Sequence, residues 1–177
     1  MSPGTIRGFR WPVSVSWPIT ASTDDVWAAI SMPGNLELAH PFCKANPVSR
    51  WPGADARDEV HYLSGWVYER QFTDWIEGVG YDLDIGGRGE PTSHVTWRIA
   101  PLDVDTTTLT ITVDPHVLQR IPLVLRWLPH YAYVRPMLRR YLRSVVQGFE
   151  WYIGRGEPVA RNQFGSHPWF SSRLKAG

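Results

Sequence analysis

Val13, Val15 and Trp17 alternate with Ser14 and Ser16, the period-two pattern of a half-buried strand that runs to about Thr20. A helix start follows. Ser22 or Thr23 can cap it, Asp24 and Asp25 suit the positive end of its dipole, and Val26, Trp27 and Ile30 make its apolar face. Pro33-Gly34 stops that helix, and Leu36 to His40 predicts a second short helical turn. Alternating segments come next: 46–51, 59–64, 66–75, 81–85, 95–99 and 109–113. Gly- and Pro-rich turns separate them and no helix intervenes, so the pattern predicts an antiparallel meander.

The two faces of the sheet separate by parity. Tyr81, Leu83 and Ile85 oppose Asp82 and Asp84. Val95, Trp97 and Ile99 oppose His94, Thr96 and Arg98, and Leu109, Ile111 and Val113 oppose Thr108, Thr110 and Thr112. In 66–75 the more aromatic set, Trp66, Tyr68, Arg70, Phe72 and Asp74, is assigned inward, and Val67, Glu69, Gln71, Thr73 and Trp75 outward.

Beyond Asp114 the pattern changes. Residues 117–133 are apolar but broken by Pro122 and Pro129, and Pro136 suits a helix start. Leu138, Leu142, Val145, Phe149 and Tyr152 step by four and three, one apolar stripe of a long helix that Gly154, Gly156 and Pro158 end. Only this helix is large enough to cover the apolar face of the sheet. The predicted fold is therefore α+β: a curved antiparallel sheet wrapped around a long C-terminal helix, a helix-grip fold. Residues 13–154 form its single domain, 1–12 an N-terminal extension, and 155–177 a tail that packs on the domain or on a partner, with Trp151 a landing place for Phe164, Trp169 or Phe170.

At this point the chain resembles the SRPBCC superfamily, which includes START lipid-transfer domains, the birch-pollen allergen family and polyketide cyclase/dehydrase-like proteins. The resemblance rests on Val15-Ser16-Trp17-Pro18-Ile19-Thr20-Ala21-Ser22 leading into Asp25-Val26-Trp27, on the meander, and on the closing helix 138–153. It implies a cavity for apolar or aromatic small molecules between sheet and helix. It carries over no catalytic set, because the superfamily has no universal one.

Composition adds asymmetry. Of 177 residues 10 are Trp, and the net charge is only +1. Yet residues 1–114 hold 8 basic and 15 acidic side chains, while 115–177 hold 10 basic and 2 acidic. Docking of one half on the other is the first explanation, and an anionic partner the second. One cysteine, Cys43, permits no internal disulfide and no cysteine-rich zinc site. No leader-like segment opens the chain and no apolar run suffices to span a bilayer, so it reads as soluble and cytoplasmic. The histidines lack ligand spacing, and Gly86-Gly87-Arg88-Gly89 lacks the Lys-Ser/Thr of a phosphate loop, so no metal and no cofactor is expected.

Arg70 on the inward face needs a carboxylate such as Asp74, or else serves as a ligand anchor. Tyr62, Trp66, Tyr68, Arg70, Phe72, Tyr81, Trp97 and Phe149 are the candidate ligand wall, with plain core packing the competing explanation. His40, Tyr68 and Arg70 are the weaker candidates for catalysis, steering an enolate; a Cys43 nucleophile is the remote alternative. Binding of a hydrophobic, aromatic or lipid-like small molecule is the leading function. A polyketide cyclase/dehydrase-type enzyme is the alternative, and a peripheral-membrane lipid carrier a further one. The arginines and aromatics of 120–143 read first as a solvated helix face with a lid or homodimer contact, next as a contact with an anionic membrane surface, and last as a nucleic-acid surface, for which no module is recognisable.

Overall fold

The computed structural model describes residues 11–118 and 121–172. The body of the N-terminal extension, Arg120 and the last five residues lie outside them. The chain runs β1 (Val13–Ile19), α1 (Thr23–Ser31), α2 (Asn35–Ala39), β2 (Cys43–Ala45), β3 (Val48–Arg50), β4 (Arg57–Tyr62), β5 (Val67–Ile76), β6 (Gly80–Gly86), β7 (Ser93–Pro101) and β8 (Thr107–Asp114). A 3-10 turn at Leu123–Leu125 and a short α3 (Trp127–Pro129) follow. A π-helical turn at His130–Val134 then leads straight into α4 (Arg135–Arg155). The predicted helix start at Pro136 thus lies one residue inside α4, and helical backbone already precedes it.

All strands join one antiparallel sheet in the order β1-β8-β7-β6-β5-β4-β2, with β3 pairing β4 beside that path. The 46–51 segment supplies only β3, and Cys43–Ala45 is a short strand that its three residues were too few to announce. The parity reading holds across β6, β7 and β8: Tyr81, Leu83, Val95, Trp97, Leu109 and Ile111 are buried and their neighbours half-exposed. On the opposite face hydroxyls pair across strands, Ser14 with Thr112 at 2.9 Å and Ser16 with Thr110 at 2.8 Å.

β5 breaks its own parity. Its register against β6 shifts between Phe72 and Asp74, a β-bulge. Beyond it the faces exchange: Asp74 is exposed, and Trp75 turns inward to stack on Tyr81 at 5.4 Å. The inward assignment of Asp74 and the outward one of Trp75 are therefore corrected by one extra residue in the strand.

The Ser22 hydroxyl accepts from the Asp25 N–H at 3.1 Å and caps α1. α4 packs on β1, β8, α1 and α2. Gly148 allows its approach to α2, since a Cβ there would sit 2.0 Å from the Ala39 carbonyl oxygen. The Trp17 indole donates to Glu150 at 2.7 Å and ties β1 to the same helix. Past Gly156, the tail returns over the domain. His167 Nε2 donates to the Met137 carbonyl at 3.0 Å and the Ser64 N–H to the Phe170 carbonyl at 3.0 Å, so the tail bridges α4 and the β4–β5 turn.

Asp114 and Arg126 aside, no salt bridge among the described residues joins the two halves: all join partners between Arg50 and Arg98.

Candidate functional site

Between the concave face of the sheet and α4 lies a cavity of about 90 Å³. Most of its wall is aliphatic: Val60, Leu83, Val95 and Ile111 from the sheet, Leu138 and Leu142 from the helix. Polar side chains gather on one side. Tyr62 comes from the end of β4, Tyr68 and Arg70 from β5, His40 from the end of α2, and Tyr141 from α4; Ser93 on β7 also lines the cavity, its hydroxyl bonded to the His116 ring at 2.8 Å.

Arg70 is 3% exposed. Its carboxylate partner is Asp58 on the neighbouring strand β4, directly across the register. Arg70 Nε donates to Asp58 Oδ1 at 2.7 Å and Nη2 to Oδ2. Burial alone would lower the guanidinium's pKa, but the Asp58 charge outweighs it and holds the group above its ordinary value. The pair is neutral as a unit, and Nη1 has no partner among the described residues.

The second polar group is a chain. His40 Nδ1 accepts from the Phe42 N–H at 3.2 Å, so the proton of the neutral ring sits on Nε2, which donates to the Tyr141 hydroxyl at 2.9 Å. Tyr141 and Tyr62 share one hydrogen bond of 3.1 Å. Two hydroxyls sharing one bond leave one O–H hydrogen over, available to whatever occupies the cavity. Desolvation, with Arg70 adding to it, drives His40 down to about 3, so the ring is neutral across the working range of a cell. Desolvation also raises Tyr62, Tyr141 and Tyr68 above the usual phenol value. These groups donate hydrogen bonds; at neutral pH they neither take up protons nor attack. The Cys43 thiol is pushed up to about 12 by burial, which removes it as a nucleophile.

Of the proposed ligand wall, the structure brings Tyr62, Tyr68, Arg70 and Trp97 to the cavity, together with His40. Trp66 is not part of it: it is 42% exposed and stacks on the outside of Tyr68 at 5.9 Å. Phe72, Tyr81 and Phe149 are fully buried in the packed aromatic core beyond the cavity, where Tyr81 stacks on Trp97 at 5.6 Å and Phe149 meets its edge at 5.3 Å. Sequence reasoning missed Asp58, Tyr141 and Phe170. Tyr141 lies one helical turn from Leu138, inside the stripe, and that spacing was the available signal. Phe170 comes from the tail, and its ring lies 4.4 Å from Tyr141 and 4.5 Å from Tyr62, closing the polar side of the cavity. The tail packs back on the domain through its aromatic rings. Phe170 sits here and Trp169 donates to the Tyr133 hydroxyl at 3.1 Å, so only Phe164 shares a hollow with Trp151. That hollow, about 370 Å³ on the outer side of α4, is open and capped by Arg155 over the Trp151 ring at 3.8 Å. The cavity between sheet and helix, with its apolar wall and its few polar side chains, is the better candidate site.

Among the described residues no three His, Cys, Asp or Glu side chains gather as a metal set, and no helix is long and apolar enough to cross a membrane.

No family model matches the chain, and no curated protein matches it by sequence. Solved structures do. A START superfamily protein from Mycobacterium smegmatis superposes with a TM-score of 0.62 at 17% identity, over 81% of this chain and 97% of that one. DynU16, a protein of the dynemicin biosynthetic locus, superposes with a TM-score of 0.60 at 18% identity over 83% of this chain, which spans 48% of DynU16. A truncated norcoclaurine synthase from Thalictrum flavum gives 0.56 at 13% identity, over 82% and 94% of the two chains. Likeness at these identities is one of fold: the chain shares the helix-grip fold of these structures.

Proposed function

We propose that the protein binds a flat, largely apolar small molecule in the cavity and holds one neutral oxygen of it, a carbonyl or a hydroxyl. The observation that carries this reading is the one-sided polarity of an otherwise aliphatic cavity. A spare hydroxyl hydrogen from Tyr62–Tyr141 and Nη1 of Arg70 are both left for a ligand oxygen. The neutral Arg70–Asp58 pair favours a neutral acceptor over a carboxylate, whose charge would be buried without a counter-charge. Pockets for drug-sized ligands span roughly 300–1,000 Å³, so a two-ring ligand enters a cavity of about 90 Å³ only as Phe170 or Tyr141 moves.

The test compares 2-naphthol with 2-naphthoate by isothermal titration. The phenol binds more tightly, and Tyr62→Phe with Tyr141→Phe weakens it about tenfold, the value of one well-made hydrogen bond. Tighter binding of the carboxylate, or no binding of either together with no co-purified ligand in native mass spectrometry, sinks the reading.

The convergence of donors favours a second reading, a cyclase-type enzyme that stabilises an enolate oxygen. DynU16 is one of the fold neighbours. On this reading His40 is a positioning residue, since a ring that protonates only near pH 3 is a poor general base at neutral pH. The base would have to come from the substrate or from water. Mass-spectrometric detection of a cyclised product from an aromatic poly-ketone would favour it over binding alone.

A further inference from the structure

We infer that the segment between β8 and α4 is a docking surface for an anionic lipid bilayer. Between Asp114 and Glu150 the chain carries six arginines and no acid. Within that stretch four large apolar side chains stand exposed close together in sequence: Val124 at 76%, Leu125 at 60%, Leu128 at 58% and Trp127 at 54%. Tyr131 and Tyr133, about half-exposed, continue it along the helix. Leu118, buried, and Ile121, half-buried, anchor the strap to the core, so the outward side chains are held out by the fold.

The chemistry on this face is that of a membrane interface. Aliphatic tips suit the acyl boundary, aromatic rings the headgroup level, and arginines the anionic phosphates. Arg135 lies over the Tyr131 ring at 5.2 Å, and Arg139 and Arg143 extend the basic row at four-residue spacing along exposed α4. None of these three forms a salt bridge among the described residues, so their charge is not neutralised by the protein. A second copy of the chain is the poorer occupant. A two-fold contact through this patch would set the arginine row against itself. This inference is independent of what the cavity holds.

The test is flotation of the full chain with vesicles of phosphatidylcholine alone and of phosphatidylcholine with 30% phosphatidylglycerol. Two variants accompany it: Leu125→Ser with Trp127→Ser, and Arg139→Gln with Arg143→Gln. The expected result is flotation with the anionic vesicles only, falling with salt and falling about tenfold or more in each variant. Melting curves check that the variants fold. If the apolar pair does not, the arginine pair, wholly on the surface, decides. Wild-type protein that stays unbound to anionic vesicles overturns the inference, as does equal binding to neutral ones or binding that both variants keep. Dimerisation in solution that the apolar variant abolishes, without vesicle binding, assigns the face to a second copy and overturns it as well.

Discussion

Arg70 is a cation taken out of water, and Asp58 makes that tolerable. Removing one partner of such a buried pair typically costs about 3–5 kcal/mol, because the other charge is then left uncompensated. The pair therefore anchors the polar side of the cavity and at the same time withholds a net charge from it. His40 shares that side and responds to the same burial. In the unfolded chain it binds a proton near pH 6.5; in the folded protein it holds off until about 3. Between those values the unfolded chain binds more protons, so stability rises with pH. The stability linked to His40 is complete above pH 6.5 and is lost as the pH falls towards 3. His116 and His167, also lowered by desolvation, act with the same sign. Urea unfolding at intervals from pH 7 to 4 should therefore show a falling midpoint, and His40→Gln should flatten that slope. Parallel curves for the two proteins would show that His40 is not held neutral by the fold.

The strands and α4 were legible in the pattern because each has one dry and one wet face, which writes a period of two or of 3.6 into the sequence. Tyr81, Leu83, Val95 and Trp97 show this for the sheet, and Leu138, Leu142 and Phe149 for the helix. Three features left no such mark. The bulge after Phe72 is a mismatch between β5 and β6, invisible in β5 alone, and it misplaced Asp74. The pairing of Arg70 with Asp58 is set by strand register, twelve residues away in sequence. The turn-like 127–134 contains Pro129, which signals a break in a local reading, yet the structure continues as helix through a π turn. The junction of α4 with α2 rests on a residue that periodicity also passes over. Gly148 faces the Ala39 carbonyl, and a methyl group there has no space. Gly148→Ala should lower stability by about 1–3 kcal/mol through overpacking. Gly154, on the same helix with nothing near its would-be Cβ, should gain about 0.5–1 kcal/mol on becoming alanine. Urea midpoints of the two variants moving in the same direction would contradict this account of how α4 seats.

The molecule as a whole separates its charge along the chain. The acids lie with the sheet and the early helices, and the arginines with the strap and α4, where those beyond Arg126 have no carboxylate partners among the described residues. What binds the parts is burial, and the last part to be bound is the tail. Phe170 is 6% exposed and touches the rings of Tyr62 and Tyr141, the two hydroxyl bearers of the cavity. Its backbone is held to the β4–β5 turn through Ser64, and the preceding His167 to α4 through Met137. The tail thus fills space that a ligand would otherwise enter, and its side chain competes with a ligand ring for the same aromatic neighbours. Phe170→Ala removes that competitor. The variant should lose about 3–5 kcal/mol of stability, the usual range for a buried phenylalanine. Yet it should bind 2-naphthol more tightly than the wild type, because the ligand no longer has to displace a packed ring. The opposed signs are the diagnostic: a merely structural Phe170 would cost stability and leave affinity unchanged or weakened. Titration of folded Phe170→Ala at low temperature separates the two, and an affinity no higher than wild type would place the entrance elsewhere on the cavity wall.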